Sequence, residues 1–439
     1  ITAAGSPTAI VDSPFDDPAG FVFGENEDQN VIKCGSYTTD ANEEATIHLG
    51  WQPQFVISKR TDNSGHGWNI VDSIRGFPNA QDIKTNSSGE CIVLESNTNS
   101  AETSTNRLGL TPTGFFADQY GANRNYIYVA VRGTDGYVGK PASAGTDAFA
   151  MDVGSGNPIP NFDSGFPVDY AFTRDINSNG AEMYSINRLM PKTFLVTQNA
   201  LAESTSNAFV FDSNEGCCGT GLNSTFRAWM WKRGLGCDVV AYEGNGVVGH
   251  EIPHSMNKPP EMMWTRQRGS QNDGTWFVWH MGLNDGNAVG NNVMRLNTDQ
   301  SKFQYNLFYA DPTSTHFSLY AYDGVNGNGS KYLAMLFASV PGISKCGYYD
   351  GSGSDVTITT GFSPRFVIIK SVNNSRGWTI LDTMRGWGAG VDYKFYLNST
   401  DGQVNSWNYG EPTATGFTVS HSQYDVNYTG WKYIYYAHA

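Results

Sequence analysis

The sequence predicts an all-β protein of four tandem antiparallel β-sandwich domains, and three observations predict it. Turn formers interrupt the chain about every 8–12 residues, with 49 glycines and 18 prolines among 439 residues, so long helices of period 3.6 have no room. Between the turns, apolar and polar side chains alternate at period two, and aromatics at 13% of the chain supply bulk for sandwich cores. The chain also repeats itself, which is the strongest of the three signals.

The first and last copies match block by block. Lys33-Cys34-Gly35-Ser36-Tyr37 opens one, and Lys345-Cys346-Gly347-Tyr348-Tyr349 opens the other. Gly50-Trp51-Gln52-Pro53-Gln54-Phe55-Val56-Ile57-Ser58-Lys59 then matches Gly361-Phe362-Ser363-Pro364-Arg365-Phe366-Val367-Ile368-Ile369-Lys370. Next, Gly67-Trp68-Asn69-Ile70-Val71-Asp72-Ser73-Ile74-Arg75-Gly76 mirrors Gly377-Trp378-Thr379-Ile380-Leu381-Asp382-Thr383-Met384-Arg385-Gly386. Two weaker copies lie between, marked by Trp264 and Trp276 in the third and by Tyr170 to Arg174 in the second. Every copy ends in an aromatic-rich strand, at 126–132, 226–232, 332–338 and 433–439. Three carry a Pro-Thr turn before a Phe strand, at Pro112/Phe115, Pro312/Phe317 and Pro412/Phe417. The expected domains are 31–133, 145–233, 234–340 and 341–439, with an N-terminal arm at 1–30 and a linker at 133–146. About seven strands per copy follow from the turn spacing. Phe366/Ile368 alternate with Val367/Ile369 in a strand buried on both faces, and the recurring Trp68, Trp276 and Trp378 are expected to pack in cores.

Charge narrows the partners. Twenty-eight basic against 42 acidic residues leave a net charge of −14 with no cationic cluster, which argues against nucleic acid and against anionic membranes. No apolar run approaches the roughly 18 residues of a membrane helix, so membrane insertion is not expected. The six cysteines, Cys34, Cys91, Cys217, Cys218, Cys237 and Cys346, show no zinc spacing and are expected as free, mostly buried thiols of a protein made in a reducing cytosol. Ile1 is not an initiator methionine and no signal-peptide pattern follows, so the chain is expected to be a processed product or part of a longer one.

Several short strings resemble chemistry and fail on inspection. His250-Glu251-Ile252-Pro253-His254 fits the zincin pattern, but Pro253 breaks the helix that would bring both imidazoles to one face; repeat alignment places His254 opposite Ile47, as an exposed strand histidine. Asp175, Asn177 and Asn179 open like a calcium loop, yet the twelfth position is Ile186 where a bidentate Glu belongs. No cofactor is expected; calcium in that sandwich-edge loop is the alternative to a plain hairpin of turn formers. Asp72 and Asp382 recur in the Trp strand, but beside Arg75 and Arg385 they suit structural ion pairs better than glycoside hydrolysis. Asn86, Asn223 and Asn398 fit the glycosylation acceptor, which matters only in a secreted eukaryotic chain. No catalytic residue emerges. The informative difference between copies is aromatic: the fourth adds Trp387, Trp407, Tyr409, Tyr424 and Tyr428 in Gly/Asn-rich connections. Such side chains suit a sugar ring, or packing between subunits.

These motifs carry a resemblance. The pattern G-[FW]-x-P-x-[FL]-[VI]-[IL]-x-K…W-x-[IV]-[LV]-D-[ST]-x-R-G, present at 50–76 and 361–386, is similar to tandem-repeat virion structural proteins of marine bacteriophages, across nearly all of 20–439. The resemblance implies jelly-roll or concanavalin-like sandwiches in a virion appendage, synthesised in the bacterial host cytoplasm, with other virion proteins and a host surface glycan or envelope protein as partners. It brings no catalytic residues. The expected function is a non-enzymatic tail fibre, capsid fibre or surface decoration contacting the host. A string of rigid sandwiches would space its tip from the particle, as a homo-oligomer and as a trimer if fibrous. The alternatives are a purely architectural virion protein and a polysaccharide-degrading enzyme on the same scaffold.

Overall fold

The computed structural model describes residues 31–84, 91–118, 121–138, 141–269, 274–284, 291–421 and 423–439. The expected arm at 1–30 and the acceptor Asn86 lie outside the described residues. Four β-sandwiches follow one another along the chain. In repeat 4 a six-stranded antiparallel sheet runs in the order Ser344–Asp350, Lys432–His438, Phe366–Ser371, Thr379–Asp382, Asp392–Tyr396, Val404–Trp407. Opposite it lie Val356–Thr359, Gly416–Val419 and Pro412–Thr413. Repeats 1 and 3 have the same six-plus-three order, whereas repeat 2 pairs its six strands with only Phe162–Asp163 and Gly216–Cys217. The count among the described residues is therefore nine strands in repeats 1, 3 and 4 and eight in repeat 2, above the seven that turn spacing suggested; the extra ones are short edge strands of two to four residues.

First and last strands of each repeat pair side by side, so each module closes on itself. Cys346 faces Tyr436 in repeat 4 as Cys34 faces Val129 in repeat 1. The glycine after each cysteine is needed for room. A methyl on Gly347 would lie 2.5 Å from the Tyr435 phenol, and one on Gly35 2.6 Å from that of Tyr128, because a tyrosine ring crosses each glycine. The tryptophan strand is held by an amide brace: Asn97, Asn297 and Asn398 accept the backbone N–H of Trp68, Trp276 and Trp378 at 2.7, 3.3 and 2.8 Å. In repeat 2, Gln198 does the same for Met183 at 3.1 Å, so Met183 holds the tryptophan position.

Alternation along Phe366–Ser371 has two destinations. Val367 and Ile369 pack with Phe417, Val419 and Tyr435 inside repeat 4, while Phe366 and Ile368 enter a core shared with other repeats. That shared core corrects the expected extended row of sandwiches. Repeats 2, 3 and 4 turn the outer faces of their large sheets toward one another, because those faces are as apolar as the inner ones. Trp231, Phe337 and Tyr436 meet there: Phe337 lies 6.2 Å from the Trp231 ring and 4.9 Å from the Tyr436 ring, and the Trp231 indole N–H lies 3.2 Å from the Tyr436 hydroxyl.

Polar contacts between these repeats run in one direction around a closed circle. Trp378 of repeat 4 donates to the Arg295 carbonyl of repeat 3 at 2.9 Å, and Trp276 of repeat 3 to the Val196 carbonyl of repeat 2 at 2.9 Å. Thr197 of repeat 2 donates to the Leu397 carbonyl of repeat 4 at 2.6 Å. A basic residue follows the same circuit: Lys370 reaches the Asp299 carbonyl (3.1 Å), Arg266 that of Leu201, and Arg174 that of Ser399 (3.0 Å).

Repeat 1 docks on the outside of this ring. Arg268 of repeat 3, 1% exposed, pairs with Asp82 of repeat 1 at 2.7 Å and Glu203 of repeat 2 at 2.6 Å, and Asn79 donates to the Leu189 carbonyl at 2.9 Å. One expectation therefore fails: Trp276 and Trp378 are buried, but Trp68 is only half-buried, since among the described residues no repeat covers its sheet face. Five cysteines are buried free thiols and Cys34, on that same face, is exposed.

Trp231→Ala is expected to cost about 3–5 kcal/mol in chemical unfolding, as a large side chain leaves a cavity where three sheets meet. A pH effect follows from two histidines in the ring. Burial pulls His280 down to about 4 and His438 to about 3, so both are neutral in the fold. The unfolded chain binds their protons near pH 6.5 and the folded chain does not until pH 4 or below, so stability falls as pH drops through that window. The double variant His280→Gln/His438→Gln is expected to flatten this slope in thermal unfolding between pH 7 and 4.5.

Candidate functional site

The end of repeat 4 that precedes its closing strand gathers two of the five expected ligand-binding aromatics, and a buried ion pair positions them. Asp425 is salt-bridged to Lys394 and accepts the Tyr396 hydroxyl at 2.9 Å. Burial, with Asp425 beside it, raises the Tyr396 phenol well above its usual range and keeps it a donor. Asn427, fully buried, donates to the Ser354 and Val419 carbonyls at 2.9 and 3.1 Å and accepts the Ser352 N–H at 2.8 Å. The segment is thereby pinned on both sides of Val426.

Pinning Asp425 and Asn427 turns their neighbours outward. Tyr424, 47% exposed, stacks on Tyr428 with ring centroids 4.4 Å apart and planes 15° from parallel. The Tyr424 phenol holds that of Tyr428 above its usual range. Trp431 joins them, 4.9 Å from Tyr428 and 5.7 Å from Tyr424, and the Arg376 guanidinium lies 4.8 Å from the Tyr424 ring and 5.7 Å from that of Trp431. Two polar pairs open the connection that carries this cluster: His421 contacts Asp355 at 2.8 Å, and Ser420 donates to Asn408 at 2.9 Å.

The five expected residues thus divide. Tyr424 and Tyr428 come together. Trp407, 59% exposed, ends the edge strand Val404–Trp407 opposite Asp392, without ring contact to the pair among the described residues. Trp387 and Tyr409 are corrected: at 3% and 2% exposure they belong to the repeat 4 core, Trp387 against Phe417 and Tyr409 beneath Lys394, so neither presents a face to a ligand. Sequence reasoning missed Arg376, Trp431 and the Lys394–Asp425 anchor. A signal existed: Tyr322-Asp323 with Asn326 in repeat 3 matches Tyr424-Asp425 with Asn427 once Gly324 is taken as a one-residue insertion, and Asn326 makes the equivalent brace by accepting the Asn245 N–H at 2.9 Å and donating to the Val247 carbonyl at 2.9 Å.

The remaining motifs take structural places. His250–Pro253 is a strand, and His254 follows it, 9% exposed with Nε2 3.1 Å from the Thr313 carbonyl, so the expectation of an exposed strand histidine opposite Ile47 is corrected. Ile252 is the counterpart of Ile47, each paired with the phenylalanine of the small sheet. Asp175 accepts the Asn177 N–H at 2.9 Å and the Ser178 hydroxyl at 3.2 Å, and Asn179 accepts the Gly402 N–H at 2.9 Å, which fastens this hairpin to repeat 4. Asp72 and Asp382 pair with Arg75 and Arg385, each at 2.7 Å; Asp382 also accepts the Trp229 indole N–H at 3.1 Å. Among the described residues no group of three or more His, Cys, Asp or Glu is arranged to hold a metal ion, and no helix is long and apolar enough to cross a membrane. A cavity of about 430 Å³ lies where the linkers between repeats converge, lined by Asp135, Ser143, Phe166, Leu235, Val340 and His438 among others.

The chain belongs to the family described as domain of unknown function DUF7483, whose family model matches residues 17–134 and 197–439. The stretch between, 135–196, holds the first linker and the early strands of repeat 2, the repeat that departs most from the common motif. No curated protein and no solved structure matches the chain.

Asp425→Ala is expected to destabilise repeat 4 by about 3–5 kcal/mol, because Lys394 is left buried without its partner. Tyr424→Ala, which removes an exposed ring, is expected to stay within about 0.5 kcal/mol in the same thermal-unfolding assay.

Proposed function

We propose that this chain is a non-enzymatic structural and adhesive protein of a bacteriophage virion, made in the host cytoplasm and assembled with other virion proteins. In this reading the Tyr424–Tyr428–Trp431–Arg376 cluster of repeat 4 contacts a glycan of the host surface. The observation that carries it is that cluster: partly exposed aromatic rings on a segment anchored by a buried ion pair, with the Arg376 guanidinium against them and the His421–Asp355 pair on the same connection. A sugar offers an apolar ring face and a rim of hydroxyls, and a rigid aromatic surface with polar neighbours meets both at low entropic cost. The fate of the recurring carboxylates supports a binding role over hydrolysis. Asp72 and Asp382 are each engaged by an arginine three residues on, and Asp382 is fully buried. The ring of repeats suits a rigid body more than a flexible string.

Binding to host cells and to a panel of host-surface polysaccharides tests this. Tyr424→Ala and Trp431→Ala are each expected to weaken binding about tenfold, in line with the loss of roughly 0.5–1.5 kcal/mol of ring contact plus its buried area. Unchanged binding in both variants removes the site, and release of reducing sugar ends from any bound polysaccharide replaces the reading with an enzymatic one.

A further inference from the structure

Three repeats of this chain display what covers the outer face of the six-stranded sheet, and among the described residues the fourth leaves that face open. Strand register sets the equivalences. Trp68 stands opposite Lys59 as Trp276 stands opposite Arg266. Ile57 lies between Ile70 and Val129 as Ile368 lies between Ile380 and Tyr436. Within the ring these positions are closed to solvent, with Trp276, Trp378, Ile368, Ile380 and Tyr436 all at 2% or less. In repeat 1, Phe55, Ile57, Trp68, Ile70, Val129 and Val131 all keep part of their surface in solvent, and none joins the shared core. A contiguous apolar face of this kind marks an interaction site.

Contact within the ring is head to tail, repeat 4 on 3, 3 on 2 and 2 on 4, and it closes after three modules. A heterologous contact whose rotation closes at three yields a cyclic trimer when identical copies make it. We propose that the outer sheet face of repeat 1 is a self-association surface through which three chains join, repeating between chains the ring that repeats 2, 3 and 4 form within one. Repeat 1 carries the donors this contact uses. The Trp68 indole would donate to the neighbouring copy's Glu95 carbonyl, the position held by Arg295 in repeat 3. Lys59, which within one chain bonds the His66 carbonyl, would reach the turn after Asn97, as Lys370 reaches Asp299. Cys34, exposed opposite Val129, would be covered as Cys346 is opposite Tyr436. None of this depends on what repeat 4 binds.

Light scattering and sedimentation of the full chain at micromolar concentration test the proposal, with maleimide labelling of Cys34 as a second readout. The wild type is expected at three times the chain mass with Cys34 slow to react. Ile57→Lys is expected at the single-chain mass, with Cys34 labelling about tenfold faster as the thiol becomes accessible. Trp68→Ala, which removes one half-buried ring and leaves the fold intact by thermal unfolding, is expected to shift the mass the same way and guards against misfolding of the first variant. A wild type of single-chain mass overturns the proposal, and a monomer with Cys34 protected assigns the face to residues 1–30 of its own chain. A trimer that survives both substitutions overturns it as well, since its contact then lies elsewhere.

Discussion

A six-stranded sheet that is apolar on both faces cannot be satisfied by a single partner sheet, and this constraint organises the whole chain. Inside each repeat the small sheet covers one face, as Phe417 and Val419 cover Val367 and Ile369. The other face must find a second cover or meet water. Repeats 2, 3 and 4 resolve this mutually, and the cost of desolvating their backbone edges is offset by hydrogen bonds that run from one repeat to the next. The large apolar area involved explains why tryptophans are spent so freely in the interior: Trp229, Trp231, Trp264, Trp276 and Trp378 are among the largest fully buried side chains. Ring closure also makes the three repeats interdependent, so none of them presents a finished surface alone.

Charge serves this arrangement at its seams. Arg268 is buried at the meeting point of repeats 1, 2 and 3, with one carboxylate from each of the other two. A buried arginine between two acids is a weak source of net stability but a strong discriminator, because any other docking angle strands a charge in the interior. The Lys394–Asp425 pair plays the corresponding part within repeat 4, fixing the direction of the segment that carries Tyr424 and Tyr428. In both places the ion pair chooses a geometry that apolar packing alone leaves open.

Much of this was legible in the sequence. Period-two alternation in Phe366–Ser371 marks a strand buried on both sides, and the block matches between copies place equivalent strands in equivalent positions. The identity of the second cover was not legible, because contacts such as Trp378 with Arg295 or Thr197 with Leu397 join residues 83 and 200 positions apart and leave no local trace. Composition misled at Trp387 and Tyr409. Gly/Asn-rich surroundings look like an exposed loop, yet Asp392 accepts the Gly388 and Tyr409 N–H groups at 3.1 and 2.6 Å and draws both segments onto the core. Trp68 misled in the opposite direction, since its motif is the same as that of Trp378 and, among the described residues, the lack of a covering repeat separates them.

The unequal side chains at the ring centre follow from the same geometry. One position on the closing strand is Trp231 in repeat 2, Phe337 in repeat 3 and His438 in repeat 4; its neighbour two residues back is Trp229, Met335 and Tyr436. A ring of non-identical modules can fill its centre with side chains of unequal size, each trimmed against the others, and once that happens the modules can no longer be exchanged. Repeat 1 has Val131 and Val129 at those two positions. Small β-branched residues of equal size are what three identical faces meeting on an axis can accommodate without clash or void. All three copies locked to unlike neighbours have lost uniform residues at these two positions, repeat 4 included although it keeps the motif elsewhere, and the copy with uniform residues is the one whose neighbours, in a closed ring, would be itself.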